Sequence, residues 1–114
     1  TVGAFIDQFN TPTLVDDISE IILKFFESDK VGLYNVVGSS CISRYEFALK
    51  LAEKFHLDKN LIKPIPSKQK NQVAPRPENG CLDNSKLENE LNFTFSDIDT
   101  GIETIYEQSK IRKL

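Results

Sequence analysis

The chain has 114 residues, of which 39% are hydrophobic and 27% charged, with a net charge of −3 and a sequence pI of about 5.1. This is the composition of one soluble globular domain, and the lack of concentrated positive charge argues against nucleic acid or an anionic membrane surface as a partner. No apolar run approaches the roughly 20 residues of a membrane span and no signal peptide is visible, so we expect a cytoplasmic protein.

A strand and a helix are predicted at the start of the chain. Residues 2–7 are mostly apolar and predict a short strand. No initiator Met precedes this strand, so we expect a piece of a longer protein. Thr13 is the predicted N-cap of a helix that follows, with Asp16 as its capping-box partner. The apolar residues of this helix repeat at helical spacing: Leu14, Val15, Ile18, Ile21, Ile22, Phe25 and Phe26. Their stripe is too broad for a lone surface helix and needs another layer against it.

The middle of the chain predicts a strand, a second helix and another strand. Residues 32–38 are apolar between two glycines and predict a strand. Ser43 and Glu46 have the spacing of a capping box, which predicts a helix of about three turns. A short strand over residues 61–65 follows, and Pro64 places it at a sheet edge because proline cannot donate to a hydrogen-bond ladder.

The last part of the chain predicts a long loop and two helices. Residues 66–80 are polar and proline-containing, and a loop of this length is usually functional or disordered. Asp83 or Ser85 can begin a short helix, and Ser96 predicts the N-cap of a last helix, with Asp99 three residues on. The order of elements predicts an α/β fold of two or three layers in a single segment, with parallel strands because helices separate them.

Arg76 is the best candidate for a binding residue. It lies between Pro75 and Pro77, which stiffen the backbone and hold Arg76 towards an extended conformation. A guanidinium presents five N–H donors in a planar fork, and this fork suits a phosphate or diphosphate bidentately. The alternative is an exposed loop arginine that pairs with Glu78 or another carboxylate.

Three blocks of the sequence, in order along nearly the whole chain, carry recognisable motifs. Residues 7–13 read Asp-Gln-Phe-Asn-Thr-Pro-Thr. Residues 32–38 read Gly-Leu-Tyr-Asn-Val-Val-Gly, with Ser-Arg-Tyr-Glu-Phe-Ala at 43–48, and residues 74–87 contain Arg-Pro, Leu-Asp and Lys-Leu. Together the blocks resemble segments of the dTDP-4-dehydrorhamnose reductases, which are extended short-chain dehydrogenases, although Asn10 stands where that family usually has Gly.

The resemblance implies that the chain is the C-terminal, substrate-binding part of an NAD(P)H-dependent oxidoreductase that reduces a 4-keto sugar on a nucleoside diphosphate. It implies that Arg76 and Asn79 bind this nucleotide sugar, Arg76 through the diphosphate. The family holds NADPH or NADH on an N-terminal Gly-x-x-Gly-x-x-Gly turn, a spacing that the five glycines here do not have. We therefore expect this chain by itself to bind no cofactor and to be inactive.

Other residues with chemical potential are interpreted as structural. Tyr106 and Lys110 match the family's Tyr-x-x-x-Lys pair in spacing, but they follow all the other family blocks, so Tyr106 is expected to pack inward and Lys110 to be solvated. His56 is placed at a helix end. Cys41 and Cys81 form no C-x-x-C pair and cannot complete a zinc site with one histidine, and a disulfide is not expected without secretory features. No metal site is predicted.

Two alternatives stay open. The parent protein could be an epimerase or dehydratase of the same class, or a non-enzymatic, reductase-like regulatory subunit that binds a partner protein. The upstream sequence decides between these, since it would carry the cofactor turn and the Tyr-x-x-x-Lys pair. The predicted partner is a nucleotide-sugar substrate. A homodimer is a further expectation, because the strand at residues 32–38 would expose an edge and apolar faces in this chain alone.

Overall fold

The computed structural model of the protein describes residues 1–112 and has the predicted α/β fold. Its strands are β1 (Val2–Phe5), β2 (Phe9–Asn10), β3 (Ile42–Ser43) and β4 (Ile62–Ile65). Its helices are α1 (Val15–Glu27), α2 (Arg44–Lys54), α3 (Ser85–Leu91) and α4 (Ile98–Arg112), with short 3₁₀ turns at Lys59–Leu61 and Ser67–Gln69. None of the helices among these residues is long and apolar enough to cross a membrane.

The strands β1 and β4 run parallel, which confirms the predicted parallel pairing. Their register places Val2 beside Ile62 and Phe5 beside Ile65. The helix α2 packs on both strands and α4 packs on α2, so a sheet and two helices form successive layers. Buried apolar residues of these elements are Ala4, Phe5, Ala52 and Ile102.

A second apolar cluster lies against α1. Ile21 and Leu87 are 1% and 0% exposed, and they pack with Phe93 and Phe95, whose rings meet edge to face at a centroid distance of 4.9 Å. Partly buried residues complete the cluster: Phe25, Tyr34, Val36 and Leu91. The predicted apolar stripe of α1 is only partly covered, since Ile21 is buried whereas Phe26 is 85% exposed.

The segment at residues 32–38 is irregular, so the strand predicted there is wrong. Side chains bond its backbone in place of a neighbouring strand. The Gly38 N–H donates to Thr13 Oγ1 (3.0 Å), and the Val37 carbonyl accepts a hydrogen bond from Asn84 Nδ2 (2.9 Å). An apolar run can predict burial, but a strand also needs a backbone partner, and the described part of the chain places none beside this segment.

The start of α1 differs from the predicted capping box. The Thr13 hydroxyl donates to the Thr11 carbonyl (3.0 Å) and accepts the Gly38 N–H, so it is already engaged outside the helix. Leu14 occupies the N-cap position and makes no side-chain cap bond. The predicted cap is wrong because the hydroxyl holds a turn and a distant loop together instead.

The other two predicted caps have different outcomes. Ser43 caps α2 as predicted, since its Oγ accepts the Glu46 N–H (3.2 Å). At α4 the predicted cap Ser96 is wrong by one residue: Asp97 Oδ1 accepts the Thr100 N–H (2.8 Å), and the helix begins directly after Asp97. Adjacent Ser and Asp are both good caps, so local sequence does not separate them.

The shape of the chain is flat. Its Cα radius of gyration is 16.3 Å, with extents of 48 × 37 × 20 Å. A compact domain of this length is expected at about 13 Å. Several large apolar side chains are correspondingly exposed, among them Phe26, Val31 and Leu33 at 85–88%. Exposed apolar faces are the reason for which a homodimer is expected, and the homodimer stays a prediction.

Candidate functional site

The loop at residues 66–80 follows β4 directly and so lies at the carboxyl ends of the two parallel strands. In open α/β sheets this is the edge where ligands bind. Residues 71–80 are all exposed. The predicted candidates Arg76 and Asn79 therefore lie on a surface that a ligand can reach.

The first half of the loop is bonded to Asp7 and Gln8, which follow β1. Both carboxylate oxygens of Asp7 accept the Ser67 N–H (3.0 Å each), and Asp7 Oδ1 also accepts the Ser67 hydroxyl (2.7 Å). Gln8 is only 4% exposed, and its Nε2 donates to Ser67 Oγ (2.9 Å) and to Gln72 Oε1 (2.8 Å). This network fixes the loop to the end of β1.

We expect the stability of the protein to depend on the ionisation of Asp7, because its carboxylate is at the centre of this network. The Ser67 hydroxyl and the Ser67 N–H hold the pKa of Asp7 below its usual value, because they stabilise the carboxylate. A depressed folded-state pKa contributes stability that is present above the unfolded pKa and lost as the pH falls through the folded pKa. We expect Asp7→Asn to lower the urea midpoint at neutral pH, and this deficit to shrink below about pH 4.

The control for this prediction is Asp29→Asn, which changes an exposed carboxyl just beyond the end of α1. It should give the same midpoint as the parent chain across the titration. A deficit of Asp7→Asn that stays constant between about pH 7 and about pH 3 would show that the Asp7 carboxylate is not the linked group.

The last part of the loop is bonded to β2. The Phe9 N–H donates to the Glu78 carbonyl (2.8 Å) and the Gly80 N–H donates to the Phe9 carbonyl (2.9 Å), so that Asn79 forms a parallel bridge with Phe9. The strand β2 also pairs with β3 in antiparallel fashion. The loop is thus held at both ends, and the stretch between the two anchors carries Arg76.

Arg76 and Asn79 differ in what their side chains do. Arg76 is exposed, and among the described residues no hydrogen bond or ion pair joins its side chain to the rest of the chain. The alternative pairing with Glu78 is not formed, so the guanidinium fork is available to an anion. Asn79 Oδ1 instead accepts the Cys81 N–H (3.0 Å), and Asn79 shapes the turn that ends the loop.

Cys41 and Cys81 form a disulfide, which corrects the sequence-based expectation that they do not. Their Cα atoms are 5.7 Å apart, within the range usual for disulfides. The two residues are separated by 40 positions, and only the tertiary fold brings them together. An open cleft of about 420 Å³ lies beside the disulfide, lined by Thr11, Gly38, Ser39, Cys41, Cys81, Leu82, Asp83 and Asn84.

A second cavity of about 420 Å³ lies between α2 and α4, and its two lysines are paired with carboxylates of α4. Lys50 Nζ lies 2.7 Å from Asp99 Oδ1, and Lys54 forms an ion pair with Glu103. These partly exposed pairs join two surface helices. These ion pairs therefore hold the two helices together, and their charges are not available to select a ligand.

The residues interpreted as structural make packing contacts. The Tyr106 ring meets Phe55 edge to face at 5.4 Å, and Lys110 Nζ lies 4.5 Å from the Tyr106 ring centroid. His56 adopts a left-handed φ of 56° directly after α2, at the position where glycine commonly ends a helix. All three residues therefore have structural positions. His56 follows the end of α2, and Tyr106 and Lys110 make packing contacts on α4.

Sequence reasoning missed the residues that position the loop. The sequence places Asp7 and Gln8 in a motif and Ser67 and Gln72 in the long loop, without indicating the bonds between them. A signal was available for the first pair, since two polar residues directly after a buried strand mark the carboxyl edge of a parallel sheet. Nothing local singles out Ser67 or Gln72, because their partners lie about sixty residues away.

The chain has an α/β fold with an exposed loop at the carboxyl ends of β1 and β4. The family model for the RmlD substrate binding domain matches residues 1–111. The chain belongs to this family, which confirms the family predicted from its motifs.

Relatives of the chain include reductases and a subunit of a methionine adenosyltransferase. A dTDP-4-dehydrorhamnose reductase of Aggregatibacter actinomycetemcomitans is 28% identical over 115 residues, covering 91% of this chain and 39% of that protein. The methionine adenosyltransferase 2 subunit beta of Xenopus laevis is 34% identical over 87 residues, covering 71% of this chain and 25% of that protein. The chain thus spans well under half of the length of these relatives.

Solved structures share the fold. A dTDP-4-dehydrorhamnose reductase from Bacillus anthracis, in complex with NADP, superposes with a TM-score of 0.87 at 22% identity, over 94% of this chain and 38% of that one. A dTDP-4-dehydrorhamnose reductase from Clostridium acetobutylicum gives a TM-score of 0.81 at 22% identity, over 99% of this chain and 39% of that one. At this level of identity the likeness concerns the fold.

Proposed function

We propose that the chain is the nucleotide-sugar-binding part of a dTDP-4-dehydrorhamnose reductase. The observation that carries the proposal is Arg76, whose side chain has no partner among residues 1–112, on a loop held at both ends at the carboxyl edge of β1 and β4. Membership of the RmlD substrate binding domain family supports it. In this proposal the guanidinium binds the diphosphate of the substrate, since a planar fork pairs bidentately with phosphate oxygens.

The nicotinamide cofactor of the proposed reaction does not fit the residues of this chain. Pyrophosphate-binding turns lead from a strand directly into a helix N-terminus and are built of glycine. Among residues 1–112 none of the five glycines, at positions 3, 32, 38, 80 and 101, lies in such a turn. We therefore assign NADPH or NADH to the rest of the full-length protein, and the role of this chain is to bind and orient the sugar nucleotide.

The central test is Arg76→Ala in the full-length protein. Loss of charge-assisted hydrogen bonds to a phosphate costs about 1.5–3 kcal/mol, so we expect KM for the dTDP-4-keto sugar to rise about tenfold or more. Because the diphosphate is remote from the reacting carbonyl, kcat should change less than KM. Steady-state kinetics with the nucleotide sugar measure both quantities.

Two variants make this test specific. Arg76→Lys keeps the charge and removes the fork, so it should raise KM by an intermediate amount. Lys70→Ala removes the same charge from an exposed position of the same loop and should leave KM close to the parent value. An unchanged KM in Arg76→Ala, or an equal rise in Lys70→Ala, removes Arg76 from the substrate site.

A second candidate function is a non-enzymatic subunit, which the similarity to methionine adenosyltransferase 2 subunit beta brings forward. The reductase proposal is favoured because the reductase match covers 91% of the chain, against 71% for the subunit. Turnover of a 4-keto sugar nucleotide by the full-length protein with NADPH distinguishes the two. Cofactor binding without turnover would favour the subunit.

A further inference from the structure

The disulfide between Cys41 and Cys81 lies at the second anchor of the Arg76 loop. Cys81 follows Gly80, the last residue bonded to β2, and Cys41 directly precedes β3. Since β2 pairs with both β3 and the end of the loop, the disulfide fastens together the two segments that flank β2. It is a covalent addition to an anchor that otherwise depends on two backbone hydrogen bonds to Phe9.

The two anchors of the loop differ in strength. The first consists of several side-chain bonds around Ser67, among them a bond from the buried Gln8. The second lies in an exposed stretch, residues 71–80. Its backbone bonds to Phe9 are therefore open to competition from water, and the disulfide is the strongest connection at this end of the loop.

The disulfide is also accessible to small reagents. Cys41 is exposed and Cys81 is half-buried, and both line the open cleft of about 420 Å³. Thiol–disulfide exchange needs an attacking thiolate to reach one sulfur. In a compartment that keeps thiols reduced, a disulfide that small thiols can reach is more often a redox-responsive pair than a permanent staple.

We propose that Cys41 and Cys81 form a redox site at which a low-molecular-weight thiol controls how firmly the Arg76 loop is held. A thiolate attacks the more exposed Cys41 sulfur and forms a mixed disulfide, and Cys81 leaves as a thiolate that takes up a proton. A second thiol attacks the mixed disulfide and releases the Cys41 thiol. Two small thiols are oxidised to one disulfide, and the protein gains two electrons and two protons.

The consequence for binding rests on the proposed function of Arg76. In the oxidised protein the loop is fixed at both ends, and less conformational entropy is lost when Arg76 binds a diphosphate. In the reduced protein the second end can separate from β2, and the same contact requires more ordering. Reduction is therefore expected to weaken binding of a nucleoside diphosphate several-fold.

The redox site is tested first without any ligand, in the full-length protein equilibrated with mixtures of reduced and oxidised glutathione. Alkylation of free thiols followed by mass spectrometry should show Cys41 and Cys81 converting together between disulfide and dithiol. Hydrogen exchange should be faster at the amides of Phe9 and Gly80 in the reduced form. A pair that stays oxidised in reduced glutathione, stays reduced in oxidised glutathione, or changes without altered exchange overturns the proposal.

Binding is tested with thymidine 5′-diphosphate by calorimetry, in oxidised and reduced protein. The Kd should be several-fold higher after reduction, and a Cys41→Ser/Cys81→Ser double variant should bind like the reduced protein in both conditions. An equal Kd in both states of a protein whose exchange does respond overturns the control of binding. If Arg76→Ala also leaves Kd unchanged in both states, the failure belongs to the proposed function of Arg76 rather than to the redox site.

Discussion

Replacing Leu87 with Ala should lower the free energy of unfolding by about 2–5 kcal/mol, because it removes a fully buried side chain from a close-packed cluster. Leu87 is 0% exposed and packs with Ile21, Phe93 and Phe95. The expected loss of stability has two parts: the lost free energy of burying the removed methylene and methyl groups, and the cost of the cavity that remains. Since a domain of this size has about 5–15 kcal/mol of stability, the variant should unfold at a markedly lower urea concentration.

Leu33→Ala is the matched control, with the same chemical change at a side chain that is 85% exposed. Its effect should stay within about 0.5 kcal/mol. Equal losses in Leu87→Ala and Leu33→Ala would contradict the position of the core between α1 and α3. The two urea midpoints, measured by far-ultraviolet circular dichroism, decide the comparison.

Replacing Gly38 with Ala should destabilise the chain by about 1–3 kcal/mol or more, because the new methyl group has no room. A Cβ at Gly38 would overlap the backbone carbonyl oxygen of Pro12, and backbone cannot move aside as a flexible side chain can. Any shift would also disturb the bond from the Gly38 N–H to Thr13. Thermal and urea unfolding should both record the loss.

Gly101→Ala serves as the control, because the same substitution is expected to raise the stability of the chain at this position. Gly101 lies within α4, and a Cβ there would meet, among residues 1–112, no atom within 4 Å apart from its chain neighbours and the adjacent backbone of its own helix. Alanine is favoured over glycine in a helix interior by about 1 kcal/mol, so this variant should be more stable than the parent. A destabilised Gly101→Ala, or an unaffected Gly38→Ala, would mean that the local packing at these two positions is different from that described.

The elements with strong local signals were predicted correctly. The Ser43 and Glu46 spacing identified the start of α2, because a hydroxyl and a helix N–H three residues on are brought together by the helix itself. The strands β1 and β4 were recognised from short apolar runs bounded by polar residues. Their parallel pairing followed from the helices between them.

The failures share a physical cause, which is competition from distant partners. Thr13 has the chemistry of a cap, but its hydroxyl is engaged with Thr11 and with Gly38. The apolar run at residues 32–38 has the composition of a strand, but the side chains of Thr13 and Asn84 bond its backbone. In both cases the local preference is real and the tertiary alternative is stronger.

The sequence by itself determined the α/β class, the family, and the placement of Arg76 on a proline-stiffened loop, because these depend on residue types and on short spacings. Only the tertiary structure decided how that loop is held. The bonds of Asp7 to Ser67, and the disulfide from Cys41 to Cys81, join residues 60 and 40 positions apart. Contacts over such separations are set by the packing of whole helices and strands, and no local pattern encodes them.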